Sequence, residues 1–488
     1  MKLCNANLHK MPSGVLLPTY DRGALTAGIV HIGLGNFHRG HQAWYLHRLM
    51  QMGQAHDWAI LGAGVRPNDA VMRDRLLAQD CLTTLIELDS KSEAVEITGS
   101  MIDFLPVAPD NAPLISAMID PSIRIVALTV TEGGYYRDVE GNLNTQHPDI
   151  VHDAANPDIP RTAFGAMVAA LRLRRDNGQD AFTGLCCDNL QHNGDVLGRT
   201  VVGLARLSDP SLADWILDNA TFPNSMVDCI VPATGPTEIE HVKSLGIEDA
   251  APVTHEGFRQ WVIEDKFCAG RPSWEEVGAT LTDDVVPYET MKIRMLNAGH
   301  QVLANVGELL SVPTIAACML DTDIAAFFHQ VEEQEIAPYV ESVPGMTPQA
   351  YLNLIAGRFA NPKIHDTTRR VAFDGSSRHP GFVLPILKDA VAAKGSIDGL
   401  ALTEALWARM CAGVREDGSE IEANDPDWQR LQITAKSARA DPTAWLSQKE
   451  IYGSLDQETR FATAFSRWLE QIWQHGSRTA IQEYVSGR

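Results

Sequence analysis

The hydrophobic pattern changes in character along the chain of 488 residues. In the first half, short apolar runs alternate with stretches of helical periodicity, as where Ile29–Ile32 is followed by Gln42–Met50. Strands separated by helices favour βαβ units and a mostly parallel sheet. The apolar runs that predict further strands are Trp58–Val65, Ile123–Val130, Phe182–Cys187 and Cys229–Val231.

From about Tyr288 onward the periodicity is mostly helical and strand-like runs are scarce. The clearest case is a set of apolar residues spaced three and four apart, which predicts a helix with one buried face. Ser454 or Asp456 could cap its start, and Gly476 would end it. The set consists of Phe461, Ala464, Phe465, Trp468, Leu469 and Ile472.

A glycine turn follows the first predicted strand and precedes a helix. Its sequence, GLGNFH from Gly33 to His38, has the setting of a dinucleotide-binding turn, where small residues let the backbone approach a pyrophosphate. The match is incomplete, because His38 stands at the third glycine position. From the residues alone, cofactor binding and an ordinary tight turn are both open.

The end of the second predicted strand bears on which cofactor binds. Asp69 could hold the ribose hydroxyls of NAD, whereas Arg66 could accept the 2′-phosphate of NADP. NAD is favoured and NADP stays open. With these elements, we predict an α/β protein in which a Rossmann-like parallel-sheet domain, residues 1–280, is followed by a mostly α-helical domain, residues 281–488.

The segment from Val286 to His300 carries the candidate chemistry. If it is helical, Lys292, Asn297 and His300 lie within an arc of roughly 140° on one face. Oxidation of an alcohol needs a base for the hydroxyl proton and donors that stabilise the developing alkoxide, and these side chains could supply both. A solvated lysine on an amphipathic helix is the alternative. Tyr288 and Lys292 also match the Y-x-x-x-K pair of short-chain dehydrogenases, but the glycine-rich turn of that class is absent from the sequence.

Charge and cysteine usage restrict the partners and the compartment. The formal net charge of −22 disfavours binding to nucleic acid or to an anionic membrane. The eight cysteines show no metal-binding spacing, so no metal site is expected and free thiols in a reducing compartment are favoured. We find no signal peptide and no long apolar span in the sequence, so the expected location is the cytoplasm.

Six ordered motifs together resemble the long-chain mannitol dehydrogenase family, which includes polyol dehydrogenases and fructuronate reductases. The resemblance runs from about residue 28 to at least residue 385. The motifs are IVHIGLGNFHRGHQAWY from Ile29, TVTEGGYY from Thr129, CCDNLQHNG from Cys186, FPNSMVD from Phe222, FRQWVIEDKF from Phe258 and MKIRMLNAGH from Met291.

The resemblance implies a zinc-independent enzyme that uses NAD, with its active site between the two domains. Lys292 matches the catalytic lysine of the family. Asn189 and Asn297 match two amides that form an oxyanion hole, and His300 matches a histidine that contacts the reacting oxygen. Glu132 stands where the family has a glutamate that links the lysine to solvent.

Substrate and cofactor residues are implied in the same way. Arg370 and Arg378 match basic residues that hold substrate hydroxyls, although some members carry lysine at the position of Arg378. Val227 and Asp228 match positions near the nicotinamide. The remaining cofactor-binding residues implied are Ile32, Gly33, Gly35, Asn36, Phe37, His38, Arg39 and Asp69.

The expected reaction interconverts a polyol and its keto sugar, of the mannitol-to-fructose type. A hexuronate substrate, as for a fructuronate reductase, is the alternative; Gly133 stands where such relatives often carry lysine, which favours an uncharged polyol. A non-catalytic nucleotide sensor is disfavoured by the presence of Lys292, Asn297 and His300. The sequence leaves the oligomeric state open, and the family resemblance makes a monomer the expectation.

Overall fold

The computed structural model describes residues 1–89, 92–138 and 141–487. The chain divides into two compact units, Met1–Val286 and Pro287–Arg488. In the described residues of the first unit, the strands are β1 (Ala27–Ile32), β2 (Ala59–Ala63), β3 (Thr83–Leu88), β4 (Glu93–Thr98), β5 (Met101–Phe104), β6 (Ile125–Leu128), β7 (Thr183–Cys186), β8 (Ser225–Asp228), β9 (Val253–Glu256), β10 (Gln260–Glu264) and β11 (Thr280–Thr282).

A parallel sheet in the order β5-β2-β1-β6-β7 forms the centre of the first unit. This order is that of a Rossmann fold, in which the chain reverses its direction of progress between the first strand and its neighbour β6. Ligands of such sheets bind beyond the carboxyl ends of the strands, at that point of reversal. The predicted parallel sheet is confirmed.

Helices cover the parallel sheet of the first unit, which is why its central strands are mostly apolar. Every residue of β6 is buried, as expected for a parallel strand packed on both faces. The α-helices of this unit are α1 (Asn36–Gly40), α2 (Gln42–Gln51), α3 (Asp69–Leu77), α4 (Ala112–Met118), α5 (Pro148–Ala155), α6 (Ala163–Asp176), α7 (Asn193–Ser208), α8 (Pro210–Asn219) and α9 (Pro236–Ser244).

The strand predicted at Cys229–Val231 was wrong. The strand in this region is β8, which ends at Asp228 and pairs antiparallel with β10 in a separate sheet of order β11-β10-β8. Ile230 instead exchanges hydrogen bonds with Glu256, through its carbonyl oxygen and its N–H. Pro232 follows and has no N–H for a ladder, so the apolar run cannot continue as a strand. The third sheet has the order β4-β3-β9.

The second unit is built from helices, as predicted. Its α-helices are α10 (Val286–Met291), α11 (Ala298–Leu309), α12 (Ile315–Leu320), α13 (Thr322–Val331), α14 (Pro348–Phe359), α15 (Thr368–Val371), α16 (Gly375–Arg378), α17 (Leu384–Ala392), α18 (Asp398–Met410), α19 (Trp428–Ala438), α20 (Thr443–Leu446), α21 (Lys449–Tyr452), α22 (Thr459–His475) and α23 (Ser477–Ser486).

The amphipathic helix predicted near the carboxyl end is α22, and its apolar face is buried as expected. Gly476 ends it with a φ of 89°, a value that glycine adopts without strain. The predicted cap was wrong, because the residue before the helix is Glu458 and its side chain makes no capping bond. Asp456 lies in a preceding 3₁₀ turn, where its carboxylate binds the ammonium of Lys449.

In the described part of the second unit, three π-helical segments interrupt the helices: Lys292–Asn297, Glu332–Ile336 and His379–Val383. A π turn is rare and is frequently found at functional sites. The first of these segments lies within the lysine-bearing stretch, so the regular α-helix assumed from the sequence is wrong over those six residues. In the part of the chain that the structure describes, no helix is long and apolar enough to cross a membrane.

Candidate functional site

The glycine turn after β1 is held against the loop that follows β6. Gly33 has a φ of 90°, and a Cβ at this position would overlap the carbonyl oxygen of Thr129. The Thr129 hydroxyl donates to the carbonyl of Gly33 at 2.7 Å, and the Gly33 N–H donates to the carbonyl of Ala63 at 2.9 Å. Glycine is therefore required at position 33, and the turn lies at the carboxyl edge of the sheet.

The backbone of the turn is open at Gly35. This residue is exposed, and a Cβ added to it would meet no atom within 4 Å. The side chains of Asn36 and Arg39 are instead engaged with the protein. Asn36 Nδ2 donates to the carbonyl of Pro232 at 2.9 Å, and the Arg39 guanidinium donates to Asn36 Oδ1 at 2.8 Å. These two side chains shape the turn, and what the turn offers a pyrophosphate is its backbone.

The imidazole of His38 lies in the interior of the first unit. It stacks on His31 with 3.4 Å between ring centres, and burial holds its pKa well below the usual value. Phe37 is half-buried and stacks on His41, while Ile32 is fully buried at the end of β1. The rings of residues 37 and 38 thus support the turn from within the unit.

Asp69 begins α3, after the loop that follows β2, where a Rossmann fold holds the ribose of its cofactor. Its carboxylate packs against Gly64, where a Cβ would come within 2.6 Å of Oδ2, and Oδ2 accepts the N–H of Arg66 at 2.9 Å. The half-buried carboxylate is fixed by these contacts. An anionic group in this position suits the ribose hydroxyls of NAD and repels a 2′-phosphate.

The other predicted residues of the first unit lie at the ends of strands or shortly after them. Asn189 is exposed just after β7, and Val227 and Asp228 are buried at the end of β8. Glu132 begins a 3₁₀ turn after β6, and its side chain lies outside the described part of the structure. Residues that follow β1, β2, β6 and β7 thus share the carboxyl edge of one parallel sheet.

Lys292 in the second unit is 8% exposed, and it begins the first π-helical segment. Asn297 ends this segment. Since the hydrogen bonds of a π-helix join residues five apart, residue 297 stands one turn above residue 292, closer to its face than an α-helix would bring it. The distortion of the helix therefore brings position 297 closer to the face of position 292.

His300 follows on the next turn and is kept neutral. Burial lowers its pKa to about 4, assisted by Arg370, Arg358 and Arg378 and opposed by Asp366. The ring stacks on Phe359 at 4.2 Å between centres. Its Nε2 atom is buried and has no hydrogen-bond partner among the described residues. A buried polar atom without a partner is costly, so this nitrogen is suited to bind a ligand hydroxyl.

Arg370 and Arg378, the two arginines predicted to hold substrate, are close enough to His300 for their charges to lower its pKa. Arg370 makes a bidentate ion pair with Asp366, with distances of 2.7 and 2.6 Å, and its side chain is 63% exposed. Arg378 donates to the carbonyl of Val371 at 2.6 Å. The structure therefore places Arg370 and Arg378 near His300 within the second unit, which also contains Lys292 and Asn297.

Sequence reasoning missed two residues of this cluster. Asp366 orients Arg370, and its position four residues earlier is the spacing of a helical ion pair, a signal that the sequence contained. Phe359, which supports the His300 ring, gave no signal because an apolar residue in a helix is most often core. Among residues 1–89, 92–138 and 141–487, no three His, Cys, Asp or Glu side chains are grouped to hold a metal ion.

Comparisons with known proteins agree over the whole chain. The family model for the mannitol dehydrogenase Rossmann domain matches residues 27–276, and the model for the mannitol dehydrogenase C-terminal domain matches residues 284–473. Mannitol 2-dehydrogenase of Cereibacter sphaeroides is 52% identical over 476 residues, which cover 98% of this chain and 100% of the relative. Mannitol 2-dehydrogenase of Phaeosphaeria nodorum is 37% identical over 492 residues, which cover 99% of this chain and 86% of the relative.

Two solved structures are similar throughout. One is Pseudomonas fluorescens mannitol 2-dehydrogenase in a ternary complex with NAD and D-mannitol, with a TM-score of 0.89, 39% identity and full coverage of both chains. The other is D-sorbitol dehydrogenase in substrate-free form, with a TM-score of 0.91, 33% identity and coverage of 99% and 100%.

The sheet order, the glycine turn and the extent of these matches define a dehydrogenase of the Rossmann-fold class. This confirms the expectation that the protein is an enzyme. Within that class, the chain belongs to the mannitol dehydrogenase family, and the resemblance seen in its motifs is confirmed.

Proposed function

We propose that this protein transfers a hydride between NAD and an uncharged polyol, converting the polyol to its keto sugar and back, with Lys292 as the general base. The observation that carries this proposal is the face of the second unit on which Lys292, Asn297 and His300 follow one another. Its His300 Nε2 is buried, neutral and without a partner among the described residues. The mannitol 2-dehydrogenase complex with NAD and D-mannitol supports the choice of cofactor and substrate class.

The first unit contributes the residues that would hold NAD. The open backbone at Gly35, in the turn that Gly33 shapes, fits a pyrophosphate, and the fixed carboxylate of Asp69 fits the ribose hydroxyls. Val227 and Asp228 are assigned to the nicotinamide end. When bound, NAD supplies the acceptor for the hydride.

The second unit contributes the proton transfer. The uncharged amine of Lys292 takes the hydroxyl proton of the substrate as the carbinol carbon loses its hydride. Asn189 and Asn297 donate to the developing alkoxide, and Glu132 passes the proton from Lys292 to solvent. In reduction, the Lys292 ammonium returns the proton to the forming alkoxide.

Substrate hydroxyls are held by His300, Arg370 and Arg378. Because His300 is neutral, one ring nitrogen donates and the other accepts, which suits a hydroxyl better than a carboxylate. The two arginines leave a second candidate, a hexuronate whose carboxylate would pair with a guanidinium. The pairing of Arg370 with Asp366 reduces the cationic character of the site and favours the uncharged polyol.

A substrate panel tests the proposal. Oxidation of NADH is followed by its absorbance with fructose, xylulose and fructuronate at equal concentrations. We expect turnover with a neutral keto sugar and little with fructuronate. Turnover with fructuronate alone would transfer the assignment to a hexuronate reductase, and no turnover with any of the three would contradict the proposal.

The carboxylate of Asp69 is expected to select NAD over NADP. Removing it in Asp69→Ala relieves the repulsion of the 2′-phosphate and removes the hydrogen bonds to the ribose. We expect kcat/KM with NADP to rise by about tenfold and kcat/KM with NAD to fall by a similar factor. Arg66→Ala serves as the control, since loss of this cation should lower kcat/KM with NADP and leave kcat/KM with NAD unchanged. If the ratio of kcat/KM with NADP to kcat/KM with NAD is unchanged in Asp69→Ala, this would argue against the assigned ribose contact.

The reaction is proposed to need no metal ion. We expect incubation with a strong chelator such as EDTA or 1,10-phenanthroline to leave the rate of NADH oxidation within experimental error. Time-dependent loss of activity that zinc restores would disprove this part of the proposal.

Three broader assignments accompany the function. We propose that residues 1–280 act as the dinucleotide-binding domain and residues 281–488 as the substrate and catalytic domain. We also propose a cytoplasmic location, which is supported by the eight cysteines, all of which have free thiols in the structure. The substrate is proposed to be the only partner required for turnover besides NAD.

A further inference from the structure

Asp188 is a buried carboxylate that joins two loops at the carboxyl edge of the parallel sheet. It is 8% exposed and immediately precedes Asn189 in the loop after β7. Its Oδ2 accepts the N–H of Val130 at 3.0 Å, and its Oδ1 accepts the N–H of Thr131 at 2.9 Å. These two hydrogen bonds therefore fasten the loop after β6 to Asp188, the residue that immediately precedes Asn189.

Further hydrogen bonds fix Asp188 from both sides. The phenol of Tyr135, itself fully buried, donates to Oδ2 at 2.6 Å. Burial holds the pKa of Tyr135 well above its usual value, so the phenol remains a neutral donor. Asn193 Nδ2 donates to the Asp188 carbonyl at 3.1 Å and to the Ser225 carbonyl at 2.8 Å. The side chain and the backbone of Asp188 are both constrained.

The backbone that Asp188 holds is strained. Thr131 has a φ of 69° and a ψ of 159°, a region that residues other than glycine rarely adopt. Such a conformation persists only where surrounding contacts impose it, and strained residues cluster at functional sites. Thr131 directly precedes Glu132, so the strain fixes the direction in which the chain leaves β6.

We infer that Asp188 is a positioning residue, which sets the loop carrying Asn189 and the backbone carrying Glu132 relative to each other for proton transfer. This inference rests on the proposed function. Asp188 acts through Asn189 and Glu132. It holds the backbone before Glu132 by accepting hydrogen bonds from the N–H groups of Val130 and Thr131.

The test compares three variants of the full-length enzyme. In Asp188→Asn, an amide of the same size loses one acceptor and sets an NH₂ group against a backbone N–H. We expect kcat for polyol oxidation to fall by about 10- to 100-fold, because small displacements of reacting groups are costly. The Kd for NADH, measured by fluorescence titration, should stay within about twofold. Tyr135→Phe removes one bond and should lower kcat by about threefold to fivefold.

Asp153→Asn is the matched control. Asp153 is 3% exposed, and its carboxylate accepts the N–H of Arg161 at 2.7 Å, the N–H of Thr162 at 3.0 Å and the Thr162 hydroxyl at 2.7 Å. It makes the same kinds of bonds as Asp188 but lies in α5. Its variant should lower the melting temperature and leave kcat within about threefold.

The outcomes distinguish a positioning role of Asp188 from a purely structural role. A folded Asp188→Asn with kcat within threefold of the parent would overturn the inference, and so would an Asp153→Asn that loses as much kcat as Asp188→Asn. If Asp188→Asn does not fold, Tyr135→Phe decides: lowered kcat with unchanged NADH affinity supports positioning, and unchanged kcat overturns it. Absence of polyol turnover in the parent enzyme would instead contradict the proposed function.

Discussion

Replacing Lys292 with alanine is expected to lower kcat for polyol oxidation by about 1,000-fold, within the range that general base catalysis contributes. The physical reason is that no hydroxyl proton can leave with the hydride unless a base accepts it. Lys292 is the buried amine aligned with Asn297 by the π-helical segment. Because the proposed cofactor contacts lie in the first unit, the Kd for NADH should change by less than about twofold.

Lys436→Ala controls for the loss of a lysine from the second unit. Lys436 is exposed on α19, and its removal should leave kcat and KM unchanged. Steady-state kinetics and NADH titration of the two variants supply the comparison. A Lys292→Ala enzyme that keeps more than a tenth of the parent kcat would rule out the lysine as the base.

Acidification is expected to destabilise the first unit more than the second. Burial lowers the pKa of His31 and His255 to about 3 and that of His38 well below its usual value. Each of these histidines binds a proton in the unfolded chain below about pH 6.5 but stays neutral when folded. The stability they contribute is complete above pH 6.5 and is lost as the pH falls from there towards the folded pKa values. Between pH 7.5 and 5.5 each loses about 1.4 kcal/mol, or about 4 kcal/mol for the three together.

The second unit contains a carboxyl group whose protonation affects stability in the opposite direction. His300, with a pKa of about 4, behaves in the same sense, but burial raises the pKa of Glu332 well above its usual value. A carboxyl that is neutral when folded stabilises at low pH, and that contribution is lost as the pH rises. The two effects oppose each other between pH 7.5 and 5.5, because acidification removes stability at His300 and adds it at Glu332.

Urea unfolding at pH 7.5 and 5.5 measures this difference, with limited proteolysis used to identify which unit opens first. We expect the midpoint of the first unit to fall at pH 5.5 and that of the second not to fall. Equal midpoints of the first unit at the two pH values would show that its histidines do not remain neutral in the folded state.

The sequence revealed those parts of the fold in which apolar residues repeat without interruption. β1, β2, β6 and β7 are apolar because helices cover both faces of their sheet, and α22 buries one clear face. β8 was missed because its sequence, Ser225–Asp228, begins and ends with polar residues that bond to neighbouring loops and strands. Spacing cannot reveal such bonds, since their partners are distant in the sequence.

The candidate site was predictable in its residue types but not in its geometry. The spacing of Lys292, Asn297 and His300 suggested one helical face, yet the π segment that aligns the first two depends on tertiary packing. His38 was predicted to bind the cofactor, and the structure turns its ring inward against His31. Side-chain direction after a tight turn depends on the packing around it, which the motif alone does not encode.

Chemical rescue of Lys292→Ala tests the central claim most directly. Small primary amines are added to the variant at fixed pH, and NADH formation from mannitol is recorded. The account predicts a rate that is very low without amine and rises with the concentration of the uncharged amine. A variant that oxidises mannitol at the parental rate with no amine present would contradict it.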